Sequence, residues 1–336
     1  MEIIEVKQNW PNDYFRIELS LGDICNYQCW YCWEDAHAAK YKWPNYELLV
    51  KNLSHLLDHY IKTTNKRKFE ISLLGGECTH WKKFIPFVKH FKENYNCIFT
   101  LTTNGYKSLD WWERALPYLD QVTISHHQKF TDPTHLRDLA DLCYKNKVLV
   151  DIAMLMDPTC WDDCITSIEY YKKSKHTWSI TLVEIIHKDV NYNAEQLKFI
   201  SKVRARRTNL FFYLRVNKKF RSSVRIIDSN NKVHKISDNH LILKRLNNFK
   251  GWQCDVGVHW LSIKNSGSIS GICGNGLYSN IETFNIFDTD FTTTFNPTVT
   301  STTCQSDSCW CSFEANMFKQ KPKDLVNKKV IPIYAN

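Results

Sequence analysis

The stretch "DICNYQCWYCWED", residues 23–35, places Cys25, Cys29 and Cys32 within eight residues. Thiols this close share a metal or oxidise together, and the spacing C-x3-C-x2-C offers three thiolates to one centre. Structural zinc sites close with four ligands, commonly from two C-x2-C pairs. Here no fourth cysteine follows, and His37 is the nearest histidine in sequence. Three thiolates can instead hold three irons of a cubane and leave the fourth iron open to a ligand. On spacing alone, zinc and an iron–sulfur cluster both stand.

Other segments carry groups with chemical capacity. "GGE" supplies Gly75, Gly76 and Glu77. Glycines let a ligand approach the backbone, and a carboxylate pairs with an ammonium. "TTNG", residues 102–105, contains Thr103 and Asn104, and "SHHQ", residues 125–128, contains Ser125, His126 and His127. Either histidine is a candidate general base or substrate contact, with Glu184 and His187 as secondary candidates. Near the C-terminus, Cys254 and Cys273 bracket a hairpin of "WLSI" and "SISGI" around "KNSG", and Cys304, Cys309 and Cys311 follow as C-x4-C-x-C. These five thiols suit a second cluster or one zinc. At most four are needed; Cys304 is the first to omit, because Cys309 and Cys311 form the tighter pair.

The elements that must position these groups alternate regularly. Runs rich in Ile, Val, Leu, Phe and Thr occur at 14–22, 69–77, 97–105, 121–127, 148–157 and 177–187. Such runs read as buried parallel strands. Between them lie amphipathic segments: Val88, Phe91 and Tyr95; Leu136, Leu139 and Cys143 after Pro133; Trp161, Ile165, Ile168 and Tyr171. "NAEQ", residues 193–196, reads as a capping box ahead of Leu197, Ile200 and Val203. Six βα units in order predict an α/β fold, a partial (β/α)6 TIM-like barrel over residues 14–210. Residues 211–250, with a hairpin around 229–231, read as a connector. Residues 251–315 form a small C-terminal β-hairpin and Cys-rich cluster-binding region, and 316–336 a loosely packed tail. The cysteine triplet, "GGE", "TTNG" and Ser125 then all fall at C-terminal strand ends, where parallel α/β folds assemble their sites.

This combination resembles the radical S-adenosylmethionine (radical SAM) superfamily. The triplet with Tyr31 before the last cysteine matches that family's cluster signature. The resemblance implies a [4Fe-4S] cluster on Cys25, Cys29 and Cys32, with S-adenosylmethionine chelating the open iron. It implies that Gly75, Gly76 and Glu77 bind the methionyl amino group. Thr103, Asn104 and Ser125 would contact carboxylate and ribose, and Tyr31 the adenine. The family's usual proline after Gly-Gly-Glu is Cys78 here. The chemistry implied is reductive cleavage to a 5′-deoxyadenosyl radical and hydrogen abstraction from a substrate, with a flavodoxin or ferredoxin as electron donor. Cys160 and Cys78 are candidate hydrogen-atom donors to a substrate radical, while Cys97, Cys143 and Cys164 read as core. The C-terminal cysteines resemble a twitch region, the shortened form of the SPASM extension, which implies an auxiliary [4Fe-4S] cluster on Cys254, Cys273, Cys304, Cys309 and Cys311.

Composition narrows the alternatives. The chain has 336 residues, 43% hydrophobic and 24% charged, which is globular. The net charge of +9 is spread along the sequence, so no nucleic-acid partner is expected. No apolar run spans a membrane, and "MEIIEVKQNW" does not read as an export signal, so a cytoplasmic protein with reduced thiols is expected. The substrate is a small molecule or a peptide, and the outcome oxidation, epimerisation or cross-linking. With the first strand near residue 14, no leader-binding module is expected ahead of the barrel, which weighs against a peptide. The contrasting reading is a zinc-stabilised α/β binding protein without redox chemistry.

Overall fold

The computed structural model describes residues 3–7, 13–32, 40, 42–174, 178–187, 189–205, 223–228, 230–237, 245–270, 284–297, 299–304, 307 and 319–322. A short strand, β1 (Ile3–Lys7), precedes six βα repeats. The repeats are β2 (Tyr14–Ser20) with α1 (Tyr46–Thr63), β3 (Lys68–Leu74) with α2 (Phe84–Asn94), and β4 (Cys97–Thr103) with α3 (Leu109–Ala115). Then come β5 (Gln121–His126) with α4 (Pro133–Lys145), β6 (Leu149–Leu155) with α5 (Trp161–Lys172), and β7 (Ser179–Val183) with α6 (Ala194–Ala205). Strands β2 to β7 lie side by side in chain order, every pair parallel.

Local chemistry explains the boundaries. Asp132 caps α4 by accepting from the Thr134 amide, with Pro133 at the first helical position, where its missing N–H costs nothing. The capping box at α6 forms: Asn193 Oδ1 accepts from Gln196 N at 2.9 Å, and Gln196 Oε1 accepts from Asn193 N at 3.0 Å. Helix α1 buries Leu49, Leu53, Leu56, Leu57 and Tyr60 at helical spacing. Each fully buried leucine contributes roughly 1.5–3 kcal/mol of burial free energy. Helices α1 and α3 go beyond the sequence reading, although the spacing in α1 is plain.

Beyond the barrel, β8 (Ser223–Asp228) and β9 (Val233–Ser237) form the expected hairpin, with Asn231 at φ 59° in its turn. β8 also pairs with β1, so the chain before residue 14 contributes a strand that the sequence reading omitted. β10 (Gln253–Cys254) leads to β11 (Trp260–Ile263) and β12 (Ile269–Ser270), the second hairpin expected. This hairpin does not stand apart: β11 adds in parallel to β2, with Trp260 opposite Arg16 and Ile263 opposite Leu19. It covers an edge of β2 that would otherwise present unpaired backbone groups. The sheet thereby has eight strands, seven of them parallel.

A polar seam locks this region to the barrel. Asn52, on α1 and buried, donates from Nδ2 to the carbonyls of Ile286 (2.7 Å) and Asp288 (2.8 Å). Tyr60 OH donates to Gly257 O at 2.9 Å. β13 (Thr302–Thr303) and β14 (Lys319–Gln320) flank β10 as antiparallel neighbours. Within the tail, Lys319 and Gln320 are thus paired. No helix among the described residues is long and apolar enough to cross a membrane.

Candidate active site

The cysteine loop leaves β2 and folds over the end of β3. Gly76 N donates to Gly22 O, and Glu77 N to Ile24 O, both at 2.8 Å. Gly75 has φ +141°, and a Cβ there would lie 2.4 Å from Gly22 O; a Cβ at Gly76 would lie 2.4 Å from Ile24 O. The close approach for which these glycines make room is that of the cysteine loop's own backbone. Gly76→Ala is expected to cost about 1–3 kcal/mol through overpacking. A shift of the denaturation midpoint, with iron loading reduced because Cys25 moves, checks this.

Glu77 is 1% exposed, and its carboxylate is surrounded by protein donors. Oε1 accepts from Thr79 N (3.1 Å), Thr79 Oγ1 (2.7 Å) and Thr103 Oγ1 (2.8 Å), and Oε2 from Asn104 N (2.7 Å). Burial outweighs those donors and raises the pKa. Glu77 thus ties the end of β3 to the end of β4. Asn104, fixed in this way, reaches the cysteine loop: its Nδ2 donates to Asn26 Oδ1 at 2.7 Å and lies 3.9 Å from Cys25 Sγ.

The third strand end to arrive is β5. His127 Nδ1 stands 3.2 Å from Cys29 Sγ and 2.9 Å from Tyr31 OH. Burial lowers the His127 pKa to about 4, with His126 a smaller cause, so the imidazole is neutral. Tyr31 is likewise raised by burial. Trp30 donates from Nε1 to Asp157 Oδ2, just beyond β6, at 3.2 Å, and packs edge-on to His187, beyond β7, at 5.4 Å. Trp33 and His37 lie outside the described residues. Sequence reasoning missed Asn26 and Asp157; Asp157 was visible as the last residue of the "VLVDIAMLMD" run.

Below the loop, two polar rows cross the sheet face turned away from the helices, among apolar residues that include Ile98, Leu149 and Leu155. Glu18, Ser72, Thr100 and Gln121 form one row across four strands; Thr102, Thr123, Asp151 and Ser179 form the next. Packed barrels usually fill this space with branched apolar side chains. Here Thr102 is exposed although its strand is paired on both sides, so the lumen opens there. Asp151 accepts from the hydroxyls of Ser179 and Thr181. Arg16 pairs with Glu70 at 3.3 Å.

Ser125 lies on this lumen face, opposite Ala153. His126 does not: it continues the apolar face of Val122 and Ile124 beneath α5. It is 1% exposed, with Nδ1 2.7 Å from Tyr171 OH and Nε2 2.8 Å from Gln128 Oε1. Burial takes its pKa down to about 4. Cys78 is also withdrawn, in the hydrophobic core with its thiol donating to Leu74 O at 3.0 Å. As candidate catalytic groups, His126 and Cys78 are corrected to packing residues. Cys160 is partly exposed at the start of α5, and burial raises its pKa, with Asp157 a second cause. In the C-terminal region, Cys254 and Cys304 are both buried. Register makes them diagonal neighbours on one face of the β13–β10–β14 sheet. Lys319, fully buried and directly opposite Cys254, donates from Nζ to its Sγ at 2.8 Å. The structure thus brings together Cys254 and the thiol that spacing would omit first. Cys273, Cys309 and Cys311 lie outside the described residues.

The donor set at the triplet fits an iron–sulfur cluster. Three cysteines on one loop are the donor set of a cubane with one iron left open. Desolvation raises the Cys25 pKa and pushes that of Cys29 up to about 12, and a thiol must lose its proton to bind metal.

A parallel barrel with three cysteines on the loop after its first barrel strand defines a class of cluster-dependent enzymes. The sequence model of the radical SAM superfamily matches residues 19–183, and the chain belongs to that superfamily. Membership implies a [4Fe-4S] cluster and S-adenosylmethionine, and sets aside the zinc-stabilised, redox-inert reading. Among curated proteins the chain is similar to GTP 3′,8-cyclase of Haemophilus influenzae (strain ATCC 51907), 32% identical over 111 residues, which is 32% of each chain. It is 29% identical over 112 residues to GTP 3′,8-cyclase of Pasteurella multocida, 30% of each chain. The chain therefore spans about a third of the length of these relatives. Among solved structures it shares its fold with histidine-tagged anSMEcpe with bound AdoMet, at a TM-score of 0.50 and 14% identity, covering 84% of this chain and 78% of that one.

Proposed function

We propose that this chain holds a [4Fe-4S] cluster on Cys25, Cys29 and Cys32 and cleaves S-adenosylmethionine at its open iron to oxidise or rearrange a small polar molecule. When bound and reduced, the cluster supplies one electron that splits the sulfonium C–S bond and yields a 5′-deoxyadenosyl radical able to take hydrogen from a substrate. The observation that carries this reading is the convergence of β3, β4 and β5 on the cysteine loop, through Gly76, Asn104 and His127.

The chain's own residues divide the work. Gly75 and Gly76 seat the loop, and Asn104 holds it through Asn26. Asn104 and Ser125 suit the carboxylate and ribose of S-adenosylmethionine and Tyr31 its adenine; Thr103, expected beside them, is buried with its hydroxyl on Glu77, and the exposed Thr102 takes its place at the rim. Trp30, anchored on Asp157, covers one side of the loop and limits water. The polar lumen suits a substrate rich in hydroxyl or amine groups. Cys160 is the remaining candidate hydrogen-atom donor. An electron carrier of the flavodoxin or ferredoxin type would supply the reducing electron.

The curated relatives suggest GTP as a second substrate reading. Against it, the described lumen carries Glu18 and Asp151, and its described arginine, Arg16, is already paired with Glu70. A triphosphate calls for several cationic or amide donors. Reductant-dependent formation of 5′-deoxyadenosine by the reconstituted protein tests the reaction; GTP-dependent acceleration with a new cyclised product would favour the second reading.

The buried Cys254 and Cys304 support an auxiliary cluster, completed by two of Cys273, Cys309 and Cys311. Cys254→Ala with Cys304→Ala is expected to remove about four irons per chain and leave the other cluster's spectrum intact. Unchanged iron content would contradict it.

A further inference from the structure

We infer that His127 is a positioning residue for the first cluster, directing its Nδ1–H at the Cys29 sulfur with the Tyr31 hydroxyl oxygen beside it as a second acceptor of the same N–H. The inference rests on the radical SAM reading of the triplet, and it replaces the role of general base that position alone suggested.

Three observations carry it. One is reach: Nδ1 lies 3.2 Å from Cys29 Sγ and 2.9 Å from Tyr31 OH. Another is that the ring is fixed. It lies parallel to Tyr31 (6.0 Å, 7°) and edge-on to Tyr27 (5.7 Å, 79°), and Tyr27 is itself stacked on Phe130 at 5.1 Å. The backbone beneath is pinned, since His127 N donates to Thr131 Oγ1 at 3.0 Å and its carbonyl accepts from Phe130 N and Thr131 N at 2.9 and 3.0 Å. The last is valence. A sulfur bonded to iron carries no proton and can only accept, so the imidazole tautomer that suits it has the proton on Nδ1. Hydrogen bonds onto cluster sulfurs raise the reduction potential, and partners of this kind also orient the ligand.

The test uses the full chain, reconstituted anaerobically, with the first cluster's signal identified as the one missing from Cys29→Ala. His127→Leu is expected to lower that signal's reduction potential in an EPR-monitored redox titration, with iron content kept. His127→Asn, whose Nδ2 can take the place of Nδ1, is expected to restore the potential. An unchanged potential in His127→Leu overturns the inference, and so does an Asn variant that behaves like Leu. If His127→Leu fails to load iron, the Asn variant decides: wild-type potential supports the inference, a lowered one overturns it. Absence of the signal from the wild-type chain would refute the cluster reading itself, and the inference with it.

Discussion

Cys29→Ala abolishes reductive cleavage of S-adenosylmethionine, a loss on the order of 10³-fold or more, as when one member of a set acting as a unit is removed. Cys29 is 6% exposed, and its sulfur lies 3.2 Å from His127 Nδ1, which is in turn 2.9 Å from Tyr31 OH. Alanine leaves two thiols, Cys25 and Cys32, too few to hold a cubane with one open iron. Iron is expected to fall from about eight to about four per chain if the auxiliary cluster is present. The fold survives, because the loop's backbone anchors at Gly22 and Ile24 lie outside the substitution. Liquid chromatography of 5′-deoxyadenosine after reduction, beside iron analysis, reads both effects. Retained cleavage with full iron would remove Cys29 from the ligand set.

Glu77→Gln lowers stability by about 2 kcal/mol and loosens the cysteine loop. The carboxylate accepts four hydrogen bonds from Thr79, Thr103 and Asn104 while almost wholly buried. The amide that replaces it has one acceptor oxygen. With that oxygen kept on the three donors at the Oε1 position, its NH2 group faces the Asn104 N–H, donor against donor. A lost hydrogen bond to a charged group costs about 1.5–3 kcal/mol, offset in part by the relief of a buried charge. A lowered urea midpoint with an unchanged slope is the expected result. The resemblance to the superfamily implies another task, pairing with the methionyl ammonium. An unchanged midpoint with weakened S-adenosylmethionine binding would favour that task over the tether.

Much of this was legible in the sequence because the barrel strands are local signals. The six β-rich runs lie where β2 to β7 form, each overrunning its strand at the C-terminal end, from one residue at β5 to four at β7, where polar site residues begin. The alternation in "QVTISH" also separated the two histidines: Val122 and Ile124 face the helices, so His126 falls on that face and His127 enters the loop. That signal was present and unused. What stayed hidden depends on pairing at a distance. "WLSI" reads as a hairpin arm whether it pairs with β12 alone or with β2 as well, and the choice is made by the open edge of β2. The diagonal relation of Cys254 and Cys304 requires the β10–β13 register, which spacing cannot give. The glycines of "GGE" likewise looked like room for a ligand, while the structure fills that room with the carbonyls of Gly22 and Ile24.

The central claim is that the triplet leaves one iron open for S-adenosylmethionine. Its most direct test is the EPR spectrum of the anaerobically reconstituted, reduced protein, recorded with and without S-adenosylmethionine. The account predicts a [4Fe-4S] signal that changes when S-adenosylmethionine is added and that is missing from Cys29→Ala. Stoichiometric zinc with little iron, or an iron signal indifferent to S-adenosylmethionine, would contradict it.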